Sequence, residues 1–565
     1  MNSKLILKVI AMVLIIIAMA EIPSIGWALW FGENSMIPFF VLPQVISLIL
    51  AGILLMISRN SNQQNLSIKD GFITVASLWF VAAVSGSMPY FISGVIPSYT
   101  DAFFETMSGF TGCGATILVD IEALPKCMLF WRAMTHYMGG MGIVVFMVAI
   151  FPLMGIGGMK MVKTETTGPT MQKIMPKIAQ TAKILWGIYF GLTLLETILL
   201  MTAGLTLYDA LSHSMSTIAT GGFSTRNASV ASFNSVYVDA IITLFMFLSG
   251  INFALYFSLI LGKGSVIRQN TELKVYTGIF VVATAIVVIS LWGNHVESFG
   301  EALRYGSFEI AATLSTTGFA NCDYMNWPML AQMVIFLLMF SGGCAGSTAG
   351  GMKVIRMIII FKQSLIEMKR MLRPKGIYMV KDSDMVVRKN TVLSIAGFVA
   401  LYIILTIITS LVTATGGYDL LTCFSCSAST IGNVGPGFSM IGPTGNYSFF
   451  ADYVKWLLSF NSHVGWDEAI FLVIFEPPDV HISSRHHRLE CFLGVEALDA
   501  VDVSVSYDRD GVIAYHAMCL VGCELPGRKH AACLVVIDEG VDDVDSALGL
   551  NHVEQRVLGT EGIPL

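Results

Sequence analysis

Charge is scarce in this sequence. Asp, Glu, Lys and Arg supply 13% of its residues, against about a quarter in a soluble globular domain. Mean hydropathy is +0.70, so the composition excludes an ordinary soluble chain and points to a polytopic membrane protein. No basic stripe exists and the net charge is −6, so no nucleic-acid partner is expected. The ten cysteines lack the paired spacing of a zinc module. Five of them (Cys113, Cys127, Cys322, Cys344 and Cys423) lie in or beside apolar runs and read as small packing residues. No phosphate-binding loop of the Walker type occurs, so ATP energises nothing within this chain. A membrane-embedded hydrolase would need facing His or acidic residues, and His136 and Glu196 are the only plausible pair, with nothing clustered around them. A signal peptide is excluded as well: the run Leu5 to Trp30 after Lys4 and Lys8 is too long and has no small-residue cleavage site, so it reads as a retained span.

Long apolar runs are abundant. A span needs about 20 apolar residues. The candidates are 5–30, 37–57, 71–94, 128–153, 184–205, 237–261, 274–294, 328–361, 391–413 and 449–475. With the N-terminus inside, the internal loops 58–70, 154–183, 262–274 and 353–390 hold 2, 5, 3 and 10 basic residues. The external loops hold three: Lys126, Arg226 and Arg304. Such asymmetry orients a membrane protein, provided that the semi-polar stretches between span pairs re-enter the membrane rather than cross it.

Those stretches repeat four times: YTDAFFETMSGFTGCGAT (99–116), LYDALSHSMSTIATGGFST (207–225), FGEALRYGSFEIAATLSTTGFA (299–320) and GYDLLTCFSCSASTIGNVGPGF (417–438). Each starts with an acid (Asp101, Asp209, Glu301, Asp419), continues as a short amphipathic helix, and ends in a Ser/Thr-rich turn with a glycine (Gly114, Gly222, Gly318, Gly435). From acid to glycine the distances are 13, 13, 17 and 16 residues. Internal repetition decides architecture before local detail does. The physics suits a cation filter. An acid complements the positive end of a helix dipole, so the negative end points at a passing cation. The turn after it aims backbone carbonyls at the axis, and glycine permits the dihedrals this needs. Carbonyl rings that replace a hydration shell are how potassium filters work. One chain with four loops supplies the whole ring.

The segments SGFTGCGAT (108–116), WRAMTHYMGGMGI (131–143), STIATGGFST (216–225), STTGFA (315–320), SGGCAGSTAGGMKVIR (341–356) and STIGNVGPGFS (429–439) resemble the Trk/Ktr/HKT superfamily of potassium transporters, and within it the bacterial Trk-type membrane subunit. The resemblance covers roughly residues 5–461. It implies an all-α polytopic membrane protein: two leading transmembrane helices (1–70), then four tandem helix–pore-loop–helix repeats around one central pore. These fall at 71–153, 184–261, 274–361 and, incomplete, 391–461. It implies a K+ filter from Thr111, Gly112, Cys113 and Gly114; Ala219, Thr220, Gly221 and Gly222; Thr316, Thr317 and Gly318; and Asn433, Val434 and Gly435. It further implies gated, channel-like potassium uptake, a homodimer in membrane lipid, and a cytosolic nucleotide-binding regulatory subunit. No organic cofactor is expected. The unlike residues Ala115, Phe223, Phe319 and Pro436 after the four glycines make the filter less than fourfold. A less selective Na+/K+ pathway therefore stays open, as does a cation-coupled secondary transporter with broken helices.

The stretch 341–351 interrupts an apolar segment with Gly342, Gly343, Gly346, Ser347, Thr348, Gly350 and Gly351. It is either a small-residue helix crossing or, as the resemblance implies, an intramembrane gate loop beneath the filter. Arg132, four residues before His136, reads as a helix-end anchor, Glu196 as a structural partner to a neighbouring helix, and Asn252 as helix–helix glue. The basic residues of 353–390 suit anionic lipid or the cytosolic partner.

Character changes after Asn461. Of 32 methionines only Met518 lies in the last 104 residues, whereas seven of ten histidines do. Residues 462–565 read as an atypical non-membrane tail: an out-of-frame or disordered stretch, a fused small domain, or a metal-binding tail using HHRLEC (486–491) and Cys519 with Cys523. The resemblance expects a basic residue where Trp466 stands, so an inactive family member is a further alternative.

Overall fold

The computed structural model describes residues 3–59, 68–140, 142, 178–374, 376, 378–382, 385–387, 389–466 and the strand segments 501–507, 513–519 and 535–537. The chain divides into two compact units, 1–476 and 477–565. In the second unit, β3 (Val501–Tyr507), β4 (Ile513–Cys519) and β5 (Val535–Ile537) form an antiparallel sheet in that order, with Val501 opposite Cys519 and Tyr515 opposite Ile537. Val-rich runs of the tail thus supply strands, and among the described residues of the tail no helix is long and apolar enough to span.

The first unit is helical. Among the described residues, six helices are long and apolar enough to cross a membrane. These are α1 (Ser3–Ala20) continued by α2 (Ile22–Phe31), α3 (Ile37–Ile57), α4 (Ile68–Ile92), α7 (Ile178–Thr202), α12 (Thr271–Leu291) and α16 (Lys389–Ala414). Their outer faces stay apolar: Leu42, Ile49, Leu194, Ile289, Ile404 and Leu411 are exposed. That lipid-like surface marks a multi-pass membrane protein. The predicted span 128–153 is described as α6 (Lys126–Gly140), and the rest of it lies outside the described residues except for Gly142. Likewise 449–475 is described as α18 (Asp452–Trp466). A small hairpin of β1 (Lys381–Asp382) and β2 (Met385–Val386) precedes α16.

Two predicted spans are not continuous. The segment 237–261 is α9 (Val236–Ser249) and α10 (Phe253–Ile260), bent by 93°. Asn252 does not glue helices there. It caps α10, its side-chain oxygen accepting the Ala254 amide at 2.8 Å. The short α11 (Gly264–Gln269) then leads into α12. The segment 328–361 is α14 (Met329–Leu338) and α15 (Val354–Leu372), separated by the loop 339–353. Glycine and serine at 341–351 remove the side chains and helix propensity that a continuous helix needs, at about 1 kcal/mol per glycine.

Between paired helices sit four short ones: α5 (Tyr99–Phe110), α8 (Leu207–Ile218), α13 (Phe299–Leu314) and α17 (Leu420–Gly432). Two of them, α5 and α17, are enclosed along almost their whole length. Every residue from Ala102 to Phe110 and from Thr422 to Gly432, Phe424 excepted, is buried. At 12, 12, 16 and 13 residues they are too short to span, so each stops inside the unit.

Candidate functional site

Three of the four short helices start at a side-chain cap. The Ser98 hydroxyl accepts the Asp101 amide at 3.4 Å, the Thr206 hydroxyl accepts the Asp209 amide at 3.2 Å, and the Asp419 carboxylate accepts the Thr422 amide at 3.0 Å. Asp101, Asp209 and Glu301 stand in the first turn, where negative charge is favoured. Burial pushes the Asp209 carboxyl up, but the Thr225 hydroxyl and the Arg226 guanidinium outweigh it and hold the group below its ordinary value.

The helices end alike. The amides of Gly112, Thr220, Thr316 and Asn433 reach back three residues to Gly109, Thr217, Thr313 and Thr430. The next amides, of Cys113, Gly221, Thr317 and Val434, reach back five, to Ser108, Ser216, Ala312 and Ser429, at 2.9, 2.8, 2.8 and 2.9 Å. Gly112, Thr220, Thr316 and Asn433 have φ of 65°, 54°, 57° and 51°, and Gly114, Gly222, Gly318 and Gly435 have 76°, 83°, 73° and 95°. Left-handed backbone at alternate positions, identical in all four repeats, is the turn the glycines were expected to allow. By this register Ser315 and Gly432 are the partners of Thr111 and Ala219, one residue before the predicted third and fourth strands. The unequal acid-to-glycine spacing hid them, because α13 and α17 differ in length from α5 and α8.

The four strands close on one another. A Cβ placed on Gly114 would overlap the carbonyl oxygen of Gly221, on Gly222 that of Thr317, and on Gly318 that of Val434. On Gly435 it would come within 2.6 Å of the carbonyl oxygen of Cys113. Strand one therefore meets two, two meets three, three meets four, and four returns to one. Every filter residue named from the sequence lies in this ring. Lys455 on α18 pairs with Asp101 on α5 at 2.5 Å and braces the seam between the fourth repeat and the first.

The loop 339–353 abuts the ring at the end where the strands leave their helices. The Thr220 hydroxyl lies 2.7 Å from the Thr348 carbonyl, and the Gly350 amide donates to the Thr316 hydroxyl at 2.7 Å. A Cβ on Gly350 would stand 2.7 Å from the Gly432 carbonyl oxygen. The loop folds back on itself, with Gly342 and Gly351 packed Cα to Cβ position and Gly342, Gly346 and Gly351 at φ of 69°, 77° and 73°. Gly343 accepts the Val354 amide, and Ser347 donates to the Cys344 carbonyl at 2.6 Å. It is a loop and not a small-residue helix crossing.

Behind the ring lie buried polar side chains that sequence reading missed or misjudged. Arg132 is not a helix-end anchor. It is 1% exposed, pairs with Glu105 at 2.8 Å, donates to the Ser224 carbonyl at 3.2 Å, and lies 3.9 Å over the Phe223 ring. His136 stacks on the same ring at 4.0 Å, so the pair one helical turn apart does share a face. Glu105 accepts the Ile117 amide at 2.9 Å and Glu309 accepts the Asn321 amide at 3.1 Å. Glu105, His213, Glu309 and Cys426 each stand eight residues before the central strand residue, a positional signal that only the correct register makes visible. Glu196 is buried on α7, and neither carboxylate oxygen makes a hydrogen bond of ordinary geometry. The Thr217 side chain of α8 faces this carboxyl as a hydrogen-bonding neighbour, the kind of structural partner on another helix that was expected. Among the described residues no group of three His, Cys, Asp or Glu is placed to hold a metal ion.

The profile of the TrkH family, described as a cation transport protein, matches residues 39–465. The Trk system potassium uptake protein TrkH of Salmonella typhimurium is 36% identical over 414 residues, 72% of this chain and 85% of that one. The protein of the same name from Vibrio parahaemolyticus is 33% identical over 488 residues, 85% of this chain and 99% of that one. The crystal structure of the potassium transporter TrkH from Vibrio parahaemolyticus superposes with a TM-score of 0.74 at 32% identity, covering 85% of this chain and 99% of the other.

Proposed function

Since the chain belongs to the TrkH family of cation transport proteins, which are transporters and not enzymes, we propose that it carries K+ into the cell across the bacterial inner membrane through the four-strand ring. The observation that supports this reading most is the closed cycle in which each strand's glycine abuts the next strand's carbonyl. Carbonyl oxygens of Cys113, Gly221, Thr317 and Val434 line such a ring and stand in for the water around a dehydrated K+. The negative ends of α5, α8, α13 and α17 face the same place. Non-helical backbone at this depth is tolerated because it lines a cavity.

The loop 341–351 is the gate, because it contacts three of the four strands at their inner ends. The N-terminus and the basic loops lie in the cytoplasm, which places the loop on the cytoplasmic side of the ring. There a nucleotide-binding regulatory subunit meets the basic surface of 353–390, and two copies of the chain pair in the membrane, as the family resemblance implies.

The test is rubidium-86 uptake into proteoliposomes holding the full chain. Uptake that K+ competes away, and that Gly222→Ser reduces by about a hundredfold while leaving the size-exclusion profile intact, is the expected result. A side chain at Gly222 meets both a positive φ and the Thr317 carbonyl. Undiminished uptake by Gly222→Ser would overturn the ring as the ion path. Equal competition by Na+ would replace K+ selectivity with the broader Na+/K+ pathway. Deleting residues 346–349 is expected to raise influx, and unchanged influx would remove the gate.

A further inference from the structure

One side chain closes the neck of the loop. Glu272 stands buried in the first turn of α12. Its Oε1 accepts the Ala345 amide at 2.8 Å and the Ile355 amide at 3.1 Å. These two amides flank the part of the loop that touches the ring, on its way in and on its way out. A carboxylate oxygen bonded by two amides is a strong, directional joint. Within the neck, the Lys353 ammonium donates to the Ala349 carbonyl, and its positive charge also faces Glu272.

Beside the loop's own bond from the Val354 amide to the Gly343 carbonyl, two further ties of the neck come from the same stretch of chain as Glu272. The Cys344 amide donates to the Gly250 carbonyl at 2.9 Å, and the Phe253 amide to the Gly346 carbonyl at 3.0 Å. Both partners lie at the 93° bend between α9 and α10. From that bend the chain runs out through α10, the exposed elbow of Leu261 to Gln269, and back into α12 at Glu272. Asn270 caps the return, its side-chain oxygen accepting the Leu273 amide at 2.7 Å. The neck is thus held by both roots of one exposed elbow. The elbow carries Lys263 and Arg268 and has no buried residue of its own.

We propose that Glu272 is the latch of the loop and that the α10–α12 elbow is its lever. Displacing the elbow withdraws the carboxylate, frees the Ala345 and Ile355 amides, and lets the loop leave Thr220, Thr316 and Gly432. Glu272 is a positioning residue, touching no ion. This deepens the reading of the loop as a gate and rests on it: the lever is where a cytosolic regulator acts.

Three chains are compared in proteoliposomes: Glu272→Ala, Glu272→Gln and the deletion of 346–349, each measured by rubidium-86 influx and by hydrogen exchange of the segments 343–356 and 215–222. Glu272→Ala is expected to speed exchange at Ala345 and Ile355 by about tenfold, to leave 215–222 protected, and to raise influx. Glu272→Gln keeps one acceptor oxygen and should fall between it and the native chain. If the deletion raises influx while Glu272→Ala changes neither loop exchange nor influx, the latch is wrong and the gate stands. The latch is equally wrong if Glu272→Ala speeds exchange in both segments alike, or if it frees the loop without raising influx. If the deletion leaves influx unchanged, the gate reading falls and the latch falls with it.

Discussion

The four ring strands and the loop at 339–353 are both non-helical backbone inside a helical unit, yet they are secured in different ways. Each strand is tied by main-chain bonds to its own short helix, three and five residues back, in the same pattern four times over. The loop has no helix of its own to return to. It is held by Glu272, by the hydroxyls of Thr220 and Thr316, by its own bond from the Val354 amide to the Gly343 carbonyl, and by the Gly250 carbonyl and Phe253 amide of the α9–α10 bend. Main-chain bonds closed within one turn break only when the helix unravels. Side-chain joints break one at a time, which suits a segment that has to move. On the proposed reading, the difference separates what stays in place for selectivity from what leaves for conduction.

A second contrast lies within the ring. Its backbone is fourfold, but the side chains behind it are not: Glu105 with Arg132, His213 with Ser224, Glu309 with Asn321, and Cys426. The main chain sets the shape of the ring, and the side chains stiffen it unequally. Breaking these supports singly tests that division. Arg132→Met should have the largest effect, because it strands the buried Glu105 carboxylate. A buried pair broken on one side costs about 3–5 kcal/mol, read as a lower melting temperature of the detergent-solubilised protein. The double variant Glu105→Met with Arg132→Met should recover part of that loss, and no recovery would mean that the two residues act independently. Lys455→Met should come next, at about 1.5–3 kcal/mol for a charge-assisted bond, since it opens the seam that joins the fourth repeat to the first. Leakage of Na+ through this variant at unchanged loop exchange would place the seam's role in the ring and not in the gate.

Thr316→Val sharpens the first contrast. It removes the acceptor for the Gly350 amide without touching the strand's main-chain bonds. A loss of about 1–3 kcal/mol at that one joint should raise rubidium-86 influx while the K+/Na+ ratio holds. A changed ratio would mean that loop and ring are a single device. The smallest effect is in acid. Asp209 is depressed in the folded chain, so its contribution to stability is complete above the unfolded value of about 3.9. That contribution is lost as pH falls through the lower folded value. Melting temperatures of the native chain and Asp209→Asn should therefore run parallel from neutral pH down to about 4 and converge below it. Arg226 is 39% exposed on its side chain, so solvent screening keeps this difference modest.

Much of this could be read from residue order alone. Apolar runs of span length, the count of basic residues per loop and four acid-to-glycine stretches depend on neighbours in the chain, and burial of apolar surface in lipid follows directly from them. The positions of Gly114, Gly222, Gly318 and Gly435 were legible for the same reason: a left-handed turn tolerates few other residues. Register was less legible. Ser315 and Gly432 join the ring because helices of unequal length deliver their strands to one place, and no local spacing reports that. The bend at Gly250 to Asn252 was invisible, since an apolar composition suits a straight span and a broken one equally.

What the tertiary structure alone decided is which distant groups meet. Arg132 looked like a helix-end charge until Glu105, 27 residues away, and Phe223, on another repeat, closed around it. Glu272 looked like an ordinary first-turn acid until the folded chain brought Ala345 and Ile355 to its oxygen across 73 and 83 residues. Sequence pattern determines what each segment prefers to be, because those preferences act over a turn or two of chain. A buried charge is settled by whatever partner packing brings within about 3 Å, and packing is a property of the whole chain.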